Sequence, residues 1–312
     1  MYHSADVALE IWIQQFVNAV TIGGMYTLVA VGFTLFFGVL RLINFAHGEV
    51  FMFGSFAGLA TSTVLLAVGV TSNFVIILAM FVAALALSSA LGVALERFGF
   101  RPLRGMPPLL LLVTSLAIGI VIREGVKEFY PRGANPQRYF APYADQVLRV
   151  GDVAFSYMQI ALIAISLVLV VAVHLFVTRT WAGRAMRAVS EDQDAARMMG
   201  IEVDTVVRDA FLVGSALGAA AGVMDGLYYH TIRFDMGWVM GLKGFIAAVI
   251  GGLGNIYGAI LGGYALGLFE VLVVGWVPNG SQYKDVLVFL ILILILVFRP
   301  SGLLKPPAEK MG

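Results

Sequence analysis

Cysteine is absent from the chain, which excludes disulfides, thiolate nucleophiles and cysteine metal sites and leaves the compartment open. Charge is also scarce. Asp, Glu, Lys and Arg make up 12% of the 312 residues, against ~25% in a typical soluble domain. The charges nearly cancel, at a net +1, so there is no basic character to suggest nucleic acid as a partner. The four histidines are His3, His47, His174 and His230, in no ligand spacing, so no metal is expected. No Gly-x-x-x-x-Gly-Lys-Ser/Thr loop occurs, and ATP hydrolysis by this chain itself is not expected. His-Glu-x-x-His and Gly-x-Ser-x-Gly are missing as well, which leaves an intramembrane hydrolase without a motif. No catalytic residue or bound cofactor is therefore assigned. The start of the chain, Met1 to Glu10, carries Asp6 and Glu10 but no Lys or Arg. A cleavable signal peptide has a basic first region, so the first apolar segment is expected to remain as a helix.

What the chain has instead is apolar length. Sixty per cent of it is hydrophobic, in segments near 11–39, 48–70, 73–95, 107–126, 156–178, 206–229, 242–275 and 283–298. About twenty such residues in a helix cross the ~30 Å hydrocarbon core of a bilayer. Soluble helices would carry a polar stripe, and a membrane barrel would alternate in short strands; neither pattern is present. The expectation is an all-α, polytopic helical membrane protein, one permease-like domain over residues 1–312 with about eight transmembrane segments. Segment 242–275 is too long for one span and is interrupted at Gly251-Gly252-Leu253-Gly254-Asn255, so a broken or doubled helix is expected there.

Two connections are long and polar. Residues 127–155 contain Pro131, Gly133, Asn135, Pro136 and Pro142, a loop composition. Residues 179–207 contain Arg179, Arg184, Arg187, Arg197 and a group of acids. The tail after Pro300 reads as irregular. The positive-inside rule sets Arg41, Arg97, Arg101, Arg104, the 179–208 arginines, Arg299, Lys305 and Lys310 on the cytoplasmic side. The N-terminus and residues 127–155 are then external.

Gly214, Gly218, Gly222 and Gly226 recur every four residues, as do Gly254, Gly258 and Gly262. That spacing predicts small faces on which membrane helices approach closely. Three further groups carry polarity into apolar surroundings. Arg41-Leu42-Ile43-Asn44-Phe45-Ala46-His47-Gly48-Glu49 lies between two apolar segments. Asn44 and Gly48 tolerate a helix break, whose freed backbone groups can meet a polar solute. Asn44, Phe45, His47 and Glu49 are thus candidates for a translocation path, although the same residues also suit an interfacial turn. In residues 182–200, Ser190 followed by Gln193 reads as a capping box. Glu191, Asp192 and Asp194 stand where a helix dipole favours acids, and Gly200 suits the C-terminal cap. A short helix over about 191–199 is predicted, carrying Met198 and Met199, which are adaptable contact residues. Finally Asp225, Lys243 and Glu270 are isolated in apolar segments, as proton-relay groups or as paired structural charges.

The motif Ile43-Asn44-Phe45-Ala46-His47-Gly48-Glu49 resembles a signature of the LivH-type permeases of branched-chain amino-acid ABC importers. The resemblance continues in Gly183-Arg184-Ala185-Met186-Arg187-Ala188, Glu191-Asp192 and Met199-Gly200-Ile201. It resumes in Gly241-Leu242-Lys243-Gly244-Phe245, in Ala248 through Ala259, in Tyr283-Lys284-Asp285 and in Arg299-Pro300-Ser301-Gly302-Leu303-Leu304. It covers about residues 20–305. The resemblance implies an importer subunit of the bacterial inner membrane that forms half of a path for branched-chain or other hydrophobic amino acids. It implies as partners a second, LivM-type permease, two cytoplasmic ATPases that hydrolyse the ATP, and a periplasmic substrate-binding protein. It also implies that Gly183, Arg184, Arg187, Glu191, Asp192, Met198 and Met199 belong to an ATPase-coupling loop at 179–207. Two regions depart from the resemblance: Tyr228 to Asp235 is more polar and aromatic than the family leads one to expect, and residues 127–155 form an individual external loop. Permeases for urea, amides or aromatic acids, and an ion-coupled secondary carrier using Glu49, Asp225 or Glu270, are the alternative readings.

Overall fold

The structure is a computed structural model and describes residues 2–143, 146–150, 153–299 and 301–304; Pro300, Lys305 and Lys310, assigned above to the tail, lie outside these. Its long helices are α1 (Tyr2–Leu40), α2 (Ala46–Ala67), α3 (Asn73–Ala94), α4 (Pro108–Phe129), α5 (Tyr157–Arg179), α8 (Val203–Tyr229), α10 (Ile256–Trp276) and α11 (Gly280–Phe298). Shorter ones are α6 (Trp181–Glu191), α7 (Gln193–Met198) and α9 (Met236–Gly251). A π turn at Leu95–Phe100 and a 3-10 turn at Arg101–Leu103 continue α3. Eight helices among the described residues are long and apolar enough to cross a bilayer, and α9 is a ninth, shorter apolar helix. The segment expected to be broken or doubled is α9 plus α10, with the break at Gly252 (φ 107) and Gly254 (φ 87). Backbone of that hand suits only glycine without strain.

Residues 127–155 are less irregular than expected. The helix α4 runs on to Phe129, and β1 (Gln137–Arg138) pairs antiparallel with β4 (Thr231–Ile232). The strands β2 (Val147–Val150) and β3 (Val153–Ser156) form a hairpin. Residues 301–304 of the tail are turn and bend, as its composition leads one to expect, and they are held in place. The amides of Leu303 and Leu304 donate to the carbonyls of Ile250 and Gly251, at 2.7 and 3.0 Å. Those are orphan carbonyls at the end of α9, which a helix broken in an apolar protein must satisfy.

Two connections share one design. The end of α1 turns at Arg41 (φ 55), and the end of α8 turns at His230 (φ 58). Each then runs extended for a few residues into a new helix. The sequences match across the break: Ile43, Phe45, Gly48 and Val50 have counterparts in Ile232, Phe234, Gly237 and Val239 at one constant offset. The two copies run in opposite directions, because α1 and α8 pack antiparallel, with Phe36 against Gly214 and the His47 ring bridging Gly32 to Gly218. Two more long helices follow each copy, α3 and α4 after the first and α10 and α11 after the second. The chain thus holds two inverted repeats, a common plan in transporters.

Small residues let the helices approach closely, both between the repeats and within the second one. A Cβ at Gly222 would lie 2.1 Å from the Phe51 carbonyl oxygen, and one at Gly218 would lie 2.8 Å from His47. Gly214 receives the Phe36 ring and Gly226 the Tyr139 ring. Gly262 packs on the Ala247 carbonyl and Gly258 on Gly251. Gly254 does not share their helix face. The helix α10 begins at Ile256, so Gly254 belongs to the break.

Candidate functional site

The first break carries the polar motif into the middle of the protein. Asn44 accepts a hydrogen bond from the Ala46 amide at 3.1 Å, which closes the turn into α2. The hydroxyl of Ser115, on α4, accepts from the Phe45 amide at 3.2 Å. The His47 Nε2 lies 3.2 Å from the Val29 carbonyl oxygen. Its ring stands edge-on to Phe33 and Phe36, with centroids 4.9 and 5.0 Å away. Asn44 and His47 are buried and shape the break: the Asn44 Oδ1 and the His47 Nε2 meet backbone groups. Glu49 is buried as well, and its Oε2, like the His47 Nδ1, has no hydrogen-bond partner among the described residues. Glu49 lines a 340 Å³ pocket with Phe45, Gly119, Arg123 and Trp238.

That pocket forms where the starts of α2 and α9 meet. A Cβ on Gly48 would lie 2.2 Å from the Gly237 carbonyl oxygen, so only glycine allows the two backbones to cross here. The Phe45 ring lies 6.5 Å from Trp238 and 5.9 Å from Phe245. Gly119, midway along α4, faces Glu49 across the pocket. Five lining residues, Leu116, Gly119, Ile120, Arg123 and Trp238, were not singled out from the sequence. The signal that would have found Trp238 is the internal repeat, because it occupies the Glu49 position of the second copy.

Two of the isolated ionisable residues are not isolated. Lys243 of α9 and Glu270 of α10 are both buried and lie 3.1 Å apart. Lys243 also reaches Asp285 at 2.8 Å, and Lys284 reaches Glu270 at 2.9 Å. The buried Tyr26 hydroxyl of α1 donates to Glu270. Asp225 is buried on α8 within electrostatic reach of both lysines. One network therefore ties four helices, α1, α9, α10 and α11, through groups that would be costly alone at this depth.

At one end of the molecule, residues 179–207 form two helices and the start of α8. The helix over 191–199 is corrected to α7 (Gln193–Met198), and its N-cap is Asp192, not Ser190. Asp192 is extended (φ −153) and accepts from the Asp194 and Ala195 amides at 2.8 and 2.9 Å. Ser190 is still inside α6, where its hydroxyl donates to the Arg187 carbonyl. Asp192 wins because its backbone has already left the helical region. A capping box does occur, but at Ser156 and Gln159 of α5. Gly200 adopts φ 82 just after α7. Arg184, Arg187, Glu191, Asp192, Met198 and Met199 are exposed, whereas Gly183 is buried against the Phe176 and Val177 backbone. This end is wired to the first break. Arg41 donates to the Ser190 carbonyl at 2.7 Å, and Gln193 donates to the Val39 carbonyl at 2.8 Å.

Comparison with known proteins decides the family. The family model for the permease component of branched-chain amino acid transport systems matches residues 15–296. BraD of Pseudomonas aeruginosa, a high-affinity branched-chain amino acid transport system permease protein, is 38% identical over 96% of this chain and 98% of its own length. The chain belongs to this permease family. LivH of Escherichia coli K12 is 34% identical with the same coverage, and a probable LivH of Methanocaldococcus jannaschii is 26% identical over 92% of this chain and 90% of its own. The permease is accordingly a multi-pass membrane protein, and its signature motifs fall at identifiable places. The Asn44 to Glu49 stretch makes the first break, the Lys243 region supplies the ion network, and the Gly251 to Asn255 run is the turn between α9 and α10.

Proposed function

We propose that this permease is the transmembrane subunit of an ATP-driven ABC importer in the bacterial inner membrane, forming half of the path for branched-chain or other hydrophobic amino acids. The observation that carries this reading is the end-to-end similarity to BraD and LivH, both permease proteins for branched-chain amino acids. A second, LivM-type permease would supply the other half, and two cytoplasmic ATPases would supply the energy, since this chain has no phosphate-binding loop. A periplasmic binding protein would deliver the amino acid to the face bearing residues 127–155. The end bearing α6 and α7 would be cytoplasmic and meet an ATPase, with Arg184, Arg187, Glu191, Asp192, Met198 and Met199 as its contact surface. Gly183 would set the close packing of α6 on α5. Such an arrangement has a physical route for coupling. Movement of α6 and α7 pulls on Val39 and Arg41, and so on the turn that places Asn44, Phe45, His47 and Glu49.

The experiment is uptake of labelled leucine by cells lacking the gene, with and without the restored chain, and by vesicles holding the purified chain alone. The reading expects uptake to return in cells, and vesicles with the chain alone to stay inert under a proton or sodium gradient and to hydrolyse no ATP. Gradient-driven uptake by the chain alone would establish a secondary carrier instead.

A further inference from the structure

We propose that the pocket between α2, α4 and α9 is a subsite for the charged end of an amino acid, in which Glu49 takes the α-ammonium and Arg123 the α-carboxylate. This rests on the reading of the chain as an amino-acid permease and adds a specific place where the solute is held.

Four observations carry it. First, Glu49 is 3% exposed, yet its Oε2 has no donor among the described residues. A carboxylate in a dry interior without donors is costly, and an ammonium group brings both the missing N–H donors and the missing charge. Second, glycine makes the room that the Glu49 side chain occupies at the pocket wall. A Cβ on Gly237 would lie 2.5 Å from Glu49 Oε2, and one on Gly119 would lie 3.3 Å from its Cγ. Third, Arg123 stands one turn beyond Gly119 on the same pocket wall, with its Nε 3.5 Å from Glu124. The rest of its planar fork suits a carboxylate. A zwitterion supplies one charge of each sign, so it matches Glu49 and Arg123 together without changing the net charge. Fourth, the remaining wall is apolar, with Phe45, Leu116, Ile120 and Trp238. The 340 Å³ volume lies at the low end of the ~300–1,000 Å³ range of small-molecule pockets, which suits one amino acid.

A metal ion fits less well. No group of three or more carboxylate or imidazole ligands occurs among the described residues, and the guanidinium of Arg123 opposes a cation. The position fits a path. Gly119 lies midway along α4, and the neighbouring His47 packs on Gly218 in the interior of α8. The pocket therefore sits near half depth, where the starts of α2 and α9 aim their positive dipole ends.

The test uses the full-length purified chain carrying Trp238 as its sole tryptophan, after W12F, W181F and W276F. Its fluorescence is titrated with L-leucine, with 4-methylpentanoate, which lacks the amine, and with 3-methylbutylamine, which lacks the carboxylate. A saturable change with leucine is expected, and binding of either half-analogue should be weaker on the order of tenfold or more, because each leaves a site charge unpaired. E49Q should erase the preference for leucine over 4-methylpentanoate, and R123Q its preference over 3-methylbutylamine. E49D should retain part of the first. If E49Q fails to fold, the analogue series on the unsubstituted site decides. No saturable response to leucine, or equal binding of all three ligands, overturns the proposal. Leucine uptake in cells separates the two levels. Uptake that depends on the chain but is unchanged in E49Q and R123Q sinks this subsite and leaves the permease assignment standing. Uptake that never depended on the chain sinks the assignment itself.

Discussion

Replacing Lys243 by Met tests whether the buried network is a set of ionised pairs that holds the two repeats together. In the structure Glu270 has three donors, Tyr26, Lys243 and Lys284, and Lys243 has two acids, Glu270 and Asp285. Removing one partner of a buried pair costs about 3–5 kcal/mol, because the other charge stays buried. The two single variants should differ. After Lys243→Met, Glu270 keeps Lys284 and Tyr26, and Asp285 is half-exposed and can find water. A loss near ~3 kcal/mol is expected, at the low end of that range. After Glu270→Leu, the buried Lys243 keeps Asp285 as its one contacting acid, with the neutral Tyr26 hydroxyl beside it, and faces Lys284 with no acid between them. A loss near ~5 kcal/mol follows. At ~2 °C per kcal/mol for a chain of this size, the midpoints should fall by about 6 and 10 °C. The double variant should cost less than the sum, since each change removes the charge the other leaves behind. The assay is thermal unfolding of the purified chain in detergent, followed by an aggregation-independent probe. Single variants within about 0.5 kcal/mol of wild type, with additive behaviour in the double variant, would refute the argument and show the groups to be hydrated or neutral.

Three further outcomes are expected. Gly222→Ala should destabilise by about 1–3 kcal/mol or prevent assembly, because its methyl would meet the Phe51 carbonyl, a backbone atom that cannot turn aside. Gly38→Ala, with nothing within 4 Å, is the control and should be neutral in yield and melting point. At the other end, Asp192→Ala should cost α7 about 1 kcal/mol as a lost N-cap, and Ser190→Ala close to none. Replacing Glu191 and Asp192 together by Lys should leave membrane insertion intact and reduce copurification of the ATPases or binding-protein-stimulated hydrolysis; normal assembly and coupling would remove α7 from the interface.

The membrane class, the approximate spans and the family were legible in the sequence alone. Apolar length is a one-dimensional property, and the bilayer leaves the helix as almost the only answer to it. The same holds for the break at 252–255, where consecutive glycines announce a turn. Local capping was half legible. The signal at Ser190 and Gln193 was real in composition, but which residue leaves the helical region depends on how α6 packs on α5, and that choice fell to Asp192. The region Tyr228 to Asp235 read as a departure from the family pattern, and the fold explains its polarity: it is the second copy of the first break, with His230 at the turn and β4 pairing to β1. Partners distant in sequence were not legible. Lys243 and Glu270 were each visible as solitary charges, but that they meet, and that Tyr26, Lys284 and Asp285 join them, required four helices to be brought to one point. Glu49 was visible as a candidate, whereas Gly119, Arg123 and Gly237 around it were not, because they come from helices far along the chain. Burying charge in a membrane demands a partner for each group, and only the tertiary packing decided which partner each one found and which carboxylate oxygen was left open.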